Sequence, residues 1–343
     1  MGHYSIWLKH YNNCRGRILD ELKSYSREVD AVKESIKEKN LIIGVDDSGV
    51  GTEGLMCFVD GGEGLQELLG ATLYLIKASG LVLEKTDEKL GSERFVREVD
   101  MGLIDYDEHT KERVELLRAA MEFETALRAI EEHSPSHLFI DGSLYVCSRK
   151  RPIECIEYQV YRKRFTRLLK KCRQENIHIV GVSEDSKSRM FANFLSMKYD
   201  IKIPRFMTDS SILRMLSGNN RYQTIEFTSC SSFEAESPIN SSLIASFPTV
   251  YLQPTTLSNP LRIDVPGWEK SFPAIVSLVL DLCKGSRNYG YPLPMYLAHL
   301  DAKVERKQAQ WSTKQLLHHL SREEPALRDS ILCRTRRESR PMH

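Results

Sequence analysis

The chain has 343 residues, 41% of them hydrophobic and 28% charged, with a formal net charge of +1 from 48 basic and 47 acidic side chains. That length suits one large domain with appendages, or two domains, and the composition excludes a chain disordered throughout. A balance this near neutral also excludes nucleic-acid binding through the field of the whole molecule, so any such affinity must come from a local basic stripe.

Residues 17–38 are highly charged, with Leu22, Val29 and Ile36 at seven-residue intervals and Tyr25 and Val32 between them. This is the pattern of an amphipathic helix that packs either on a partner subunit or on the body of its own chain. An apolar strand over 41–45 follows and ends at Asp46-Asp47-Ser48. Next is a segment rich in glycine (Gly49, Gly51, Gly54, Gly61, Gly62, Gly64) with no Gly-Lys-Ser/Thr to make it a phosphate loop. Residues 71–84 read as a strand or hairpin, and 95–103 continue the β pattern. A helix is expected over 108–132, with Leu116, Ala120, Phe123, Leu127 and Ile130 on one stripe.

A second apolar strand, His137-Leu138-Phe139-Ile140, ends in Asp141-Gly142-Ser143, where the glycine permits a tight turn. A basic helix over about 154–174 stops at Asn176, and 177–182 form another buried strand. Short helices over 186–198 and 210–218, a Ser-rich loop over 228–242 and strands at 249–252 and 261–265 come next. Two further helices close the pattern, over 272–283 and 294–307. The expected fold is α/β: a mixed sheet with helices on both faces, carrying accessory helical and hairpin insertions. The expected organisation is an N-terminal helical segment over 1–40, a main domain over 41–310 and a charged tail over 311–343. The tail ends in Arg334, Arg336, Arg337 and Arg340 and is expected to be partly disordered.

Eight cysteines (Cys14, Cys57, Cys147, Cys155, Cys172, Cys230, Cys283, Cys333) are scattered without a C-x-x-C pair. Reduced thiols are expected, and a zinc knuckle is not. The N-terminus lacks the apolar core of a signal peptide, and no run of about 18 apolar residues would span a bilayer. Met1-Gly2 is followed by Ile6 where myristoylation wants Ser or Thr. The expectation is a cytoplasmic protein with no membrane association.

Two apolar strands that each end in a carboxylate suggest a shared metal site. Cleavage of a phosphodiester by two metals needs several hard oxygen ligands around closely spaced ions. Asp46 and Asp141 are the first candidates, provided their strands are neighbours. The helix before the second strand offers Glu122 and Glu124 on either flank of Phe123. Glu124 lies beside Leu117 and Leu127, nearer the buried edge, and is preferred.

Taken together, these pieces resemble the NurA family, whose nucleases accompany HerA-type hexameric ATPases. The likeness covers about 41–305. It rests on the first aspartate strand, the helix glutamate, Phe139-Ile140-Asp141-Gly142-Ser143 and Ile179-Val180-Gly181-Val182-Ser183. It also rests on Asp209 before Ile212-Leu213, Arg262-Ile263-Asp264-Val265-Pro266, and Tyr291-Pro292-Leu293-Pro294 leading to Ala298-His299. The resemblance implies an RNase H-like core, a ring-like homodimer and Mn2+- or Mg2+-dependent cleavage of DNA. The activities implied are 5′ to 3′ exonuclease and single-strand endonuclease, serving end resection and recombination repair. By position it assigns the metal site to Asp46, Glu124 or Glu122, Asp141 and His299. His299 would ligate the second metal or hydrogen-bond the scissile phosphate.

Two departures stand out. Asp47 replaces the glycine of the family's usual Asp-Gly-Ser, so Asp46 and Asp47 are interchangeable candidates. Glu184 stands where a lysine is expected, an acid that repels phosphate unless Lys187 or Arg189 compensates. The basic helix offers Arg162, Lys163, Arg167, Lys170 and Lys171 as a DNA track, with Arg164 and Arg173 on the same helix; the alternative is a solvated amphipathic face. Two other function classes remain open: a non-catalytic DNA- or ATPase-binding subunit of the same fold, and a phosphotransferase with Asp46 as nucleophile. The second lacks an Asp two residues on, where Ser48 stands.

Overall fold

In the computed structural model of the chain, the residues described are 3–45, 53–68, 70–86, 91–144, 154–184, 188–218, 220–228, 247–286 and 289–324. The chain opens with a 35-residue helix, α1 (His3–Lys37), and a three-residue strand, β1 (Ile42–Gly44). The glycine-rich region then becomes a 14-residue strand, β2 (Gly54–Glu67), which continues as a meander through β3 (Ala71–Lys85) and β4 (Arg94–Asp105). Helix α2 (Thr110–His133) leads to β5 (His137–Asp141), α3 (Ile156–Glu175) and β6 (His178–Ser183). The left-handed residues Ser134 and Asn176 terminate the two helices, as the sequence indicated for Asn176.

The second half contains α4 (Met190–Tyr199), α5 (Asp209–Ser217), β7 (Tyr222–Thr224), β8 (Phe227–Thr228), β9 (Pro248–Gln253) and β10 (Leu261–Asp264). It ends with α6 (Phe272–Leu282), α7 (Leu293–Ala302) and α8 (Arg306–Glu323). The single helix expected over 294–307 is two helices. Glu305 and Gln308 form a reciprocal capping box that starts α8 afresh, and α8 carries helical structure into the region assigned to the tail. The Ser-rich loop beyond residue 228 and the tail beyond 324 lie outside the described residues.

The strands make one sheet in the order β1-β7-β9-β10-β6-β5-β2-β3-β4, with β8 beside β9. Among the described residues, only β2–β5 and β5–β6 pair in parallel; the remaining pairs are antiparallel. An antiparallel meander extended by two parallel strands is the mixed sheet expected. Side-chain alternation divides the core between its faces. Cys57, Val59, Leu138, Ile140 and Ile179 face α2 and α3, whereas Met56, Phe58, Phe139, Val180 and Val182 face α6 and α7. A third cluster joins the C-terminal end of α1, through Val32 and Ile36, to α4, α5 and β9.

Strand β1 differs from its expected role. Among the described residues it lies at the outer edge of the sheet, paired only with β7, and its Ile43 is half-exposed. Four strands separate it from β5, so the neighbouring-strand argument for bringing Asp46 to Asp141 does not apply. Asp46 and Asp47 themselves, and Lys187, lie outside the described residues.

Candidate metal and catalytic site

Strands β2 and β5 pair in parallel with Phe58 beside Phe139 and Val59 beside Ile140. One further step along both strands places Asp60 next to Asp141, on the face that carries α7. Here β5 ends while β2 continues, so the two carboxylates meet where the sheet opens. Asp60 is 2% exposed, and its Oδ1 accepts the Gly61 N–H at 2.6 Å. Two carboxyl groups this close disfavour double ionisation. Burial, with Asp60 alongside, pushes the Asp141 carboxyl well above the ordinary range.

Two side chains from the α7 region complete this face. The His299 Nδ1 stands 2.8 Å from Asp60 Oδ2, and the Tyr291 hydroxyl donates to Asp141 Oδ1 at 2.8 Å. Tyr291 is 5% exposed, and burial beside Asp141 raises its phenol far above the usual value.

Glu122 reaches the cluster from α2 in the opposite layer. It is 3% exposed, and burial pushes its carboxyl up to about 8 against the pull of Arg118, with Asp60 and Asp141 adding to the rise. The Arg118 guanidinium pairs with Glu122 and with Glu63 at 3.2 Å, and also donates to the Gly61 carbonyl. Glu122 occupies the space a side chain at position 61 would need. A Cβ there would stand 2.4 Å from Glu122 Oε1, so glycine is required for this approach.

Glu124, the glutamate preferred from the sequence, is corrected. It points to α3, where Arg164 and Arg167 lie 3.6 and 3.5 Å away, and its side chain is 40% exposed. Residues two apart on a helix project about 200° apart, so only one of the pair faces the site. Arg189 does not offset Glu184, because its guanidinium is taken up by the backbone carbonyls of Pro204, Arg205 and Met207. Glu184 instead accepts the Tyr289 hydroxyl at 2.7 Å.

The sequence reading passed over Asp60, although the signal was present. Phe58-Val59-Asp60-Gly61-Gly62 repeats the form of Phe139-Ile140-Asp141-Gly142-Ser143. The surrounding glycines hid a long strand within what reads as a glycine-rich segment.

The donor set of carboxylates and one imidazole suits a hard divalent cation. Asp60, Glu122, Asp141 and His299 are the candidates to hold one. The raised carboxyls of Glu122 and Asp141 fit this, since buried acids short of positive charge favour a cation. Among the described residues, no three acidic, histidine or cysteine side chains are grouped so that they could hold a metal ion as they stand; Glu122 is turned to Arg118, and Asp60 is paired with His299.

The basic groove lies elsewhere, between α2 and α3. Arg162, Lys163, Arg167, Lys170 and Lys171 line it together with Glu131 and Tyr158. Arg167 is paired with Glu124 and Glu131, and Lys171 with Glu175. Arg162, Lys163 and Lys170 carry no ion pair among the described residues.

The sequence profile of the NurA domain matches residues 54–306. The chain belongs to the NurA family. The NurA match begins after Asp46 and contains Asp60, Glu122, Asp141 and His299. In three dimensions the chain is similar to the NurA nuclease from Sulfolobus solfataricus, at 16% identity and a TM-score of 0.63, covering 94% of this chain and 98% of that one. It is also similar to a NurA bound to dAMP and manganese, at 14% identity and a TM-score of 0.62, covering 92% and 99%. A NurA with manganese gives 13% identity, a TM-score of 0.60 and coverage of 90% and 98%. These likenesses concern the NurA fold. No curated protein matches the chain in sequence. Among the described residues, no helix is long and apolar enough to cross a membrane, and Cys14, Cys57, Cys155, Cys172 and Cys283 are unbridged.

Proposed function

We propose that the chain is a divalent-metal-dependent deoxyribonuclease whose site is formed by Asp60, Glu122, Asp141 and His299. The observation that carries this reading is the meeting of Asp60 and Asp141 on adjacent parallel strands, with Glu122 and His299 reaching them from the two flanking layers. Manganese or magnesium, when bound, would activate water and stabilise the leaving oxygen of a phosphodiester. A NurA relative with dAMP and manganese supports that choice of ligand.

The protein's own groups prepare the site. Tyr291 fixes one oxygen of Asp141 and leaves the other to coordinate. Asp60 engages His299 at Nδ1, which leaves Nε2 as the ring nitrogen able to meet a phosphate oxygen. Arg118 holds Glu122 in place and balances part of the negative charge.

The finer reading is 5′ to 3′ exonuclease and single-strand endonuclease activity, in partnership with a HerA-type ATPase, during end resection and recombination repair. Homodimerisation belongs to the same reading. It is supported by α1, which buries only Val32 and Ile36 while Tyr4, Trp7, Tyr11, Ile18, Leu22 and Tyr25 are exposed along it. A catalytically weakened binding subunit is the second reading, favoured by the Arg118–Glu122 ion pair in the site.

The test is release of nucleotides from labelled DNA with Mn2+, comparing the wild type with Asp141→Asn. Activity lost in the variant, with folding retained, is the expected result. An equally active variant would remove Asp141 from the mechanism, and a wild type inactive with every divalent metal would favour the binding subunit.

A further inference from the structure

Three tyrosines extend outward from the carboxylates. Tyr291 is buried and bonded to Asp141. The Tyr289 ring lies 5.8 Å from it and 6.0 Å from the Tyr296 ring. These outer two rings are exposed, at 48% for Tyr289 and 39% for Tyr296. Tyr289 is also anchored at its far end, where its hydroxyl donates to Glu184. A half-exposed aromatic ring fixed by a hydrogen bond and one ring removed from a catalytic carboxylate is a surface prepared for another flat group.

We infer that the Tyr289 ring, braced edge-to-face by Tyr296 at an interplanar angle of 68°, is a stacking platform for an unpaired nucleobase of the strand whose phosphate lies at Asp141. This rests on the nuclease reading above and adds to its single-strand activity the side chains that would hold an unpaired base. Bases stack on aromatic side chains with little sequence preference, and only an unpaired base offers its face. A base lies one sugar away from its phosphate, which matches the single-ring offset of Tyr289 from the Asp141-bound Tyr291. Glu184 then has a role that its charge alone would not suggest. It holds the Tyr289 ring in place, and its repulsion of phosphate keeps the backbone on the Asp141 side while the base occupies the aromatic side.

The test has one arm that needs no cleavage. Short single-stranded oligonucleotides carrying 2-aminopurine at successive positions are titrated, with Mn2+, against the full-length Asp141→Asn protein. Quenching at one position is expected; it should persist in Tyr289→Phe, which keeps the ring, and be lost in Tyr289→Leu/Tyr296→Leu. In the cleavage arm, an abasic nucleotide at the scissile position slows the wild type at least about tenfold. The Leu/Leu variant should cut the normal strand at the abasic rate and show no further loss on the abasic one. Absence of quenching at every position, quenching unchanged in the Leu/Leu variant, or equal wild-type rates on normal and abasic strands would each overturn the platform. A wild type that quenches but never cuts supports the platform and removes the nuclease reading.

Discussion

A methyl group on Gly61 would sit 2.4 Å from Glu122 Oε1, and that closeness couples a strand glycine to the chemistry of the site. Gly61→Ala must displace the Glu122 carboxylate, since its Cβ would also press on Glu122 Cγ at 2.9 Å and Arg118 Cγ at 3.0 Å. Overpacking of this kind costs about 1–3 kcal/mol. The expected outcome is a folded protein, by circular dichroism, with Mn2+-dependent cleavage reduced about tenfold or more.

Glu122 makes metal-free stability depend on pH. Its carboxyl is raised from 4.5 to about 8 in the fold, chiefly by burial. Between those values the native state holds a proton that the unfolded state has released, so stability falls as pH rises through that window. Full titration would cost roughly 5 kcal/mol, by about 1.36 kcal/mol per unit. Glu122→Gln removes this term, while Arg118 keeps Glu63 as a partner. Without metal, the variant is expected to melt higher than the wild type at pH 8 and at a similar temperature near pH 5, by differential scanning calorimetry. A variant less stable at pH 8 would mean that the pull of Arg118 outweighs the cost of burial.

Arg262 clamps the turn after Asp141. Its guanidinium bonds Asp264 at 2.9 Å and the Ser143 hydroxyl, which in turn donates to Asp264 at 2.7 Å. Asp264 is fully buried, so Arg262→Met strands a charge and should cost about 3–5 kcal/mol. Urea denaturation measures this loss. Arg262→Met/Asp264→Leu, which removes both charges, is expected to recover part of it.

The groove between α2 and α3 gives a salt-dependence prediction. Lys163 and Lys170 carry no ion pair among the described residues, whereas Arg167 and Lys171 are already engaged by acids. Lys163→Gln/Lys170→Gln should lower the slope of log affinity for single strands against log salt by about 1.4, at about 0.7 per phosphate contact. Fluorescence anisotropy across salt concentrations reads the slope, and an unchanged slope would return this face to the solvated alternative.

Much of the architecture was legible in local pattern. The apolar stripe of α2, the Asn176 stop of α3 and the uniform apolar run of β5 each follow from side-chain periodicity or a left-handed cap. The position of Asp141 was readable for the same reason, as a carboxylate on the last residue of a buried strand. The resemblance pointed to His299, which the fold places beside Asp60.

What local pattern left open was every partnership across the sheet. Asp60 is paired with Asp141 because β2, and not β1, lies beside β5, and strand order depends on packing between distant segments. The glycines that let β2 approach Glu122 and the Ala302 carbonyl also removed the apolar alternation by which a strand is recognised. Both glutamates of α2 flank the same stripe. Glu122 is the one near Asp60 and Asp141 because its side of the helix meets the opening of the sheet, while the side of Glu124 meets the cations of α3. Sequence thus determined which chemical groups the chain possesses and which helices and strands carry them. Tertiary structure decided which of them meet, because burial beside a particular neighbour raises an ordinary carboxyl well above its usual range.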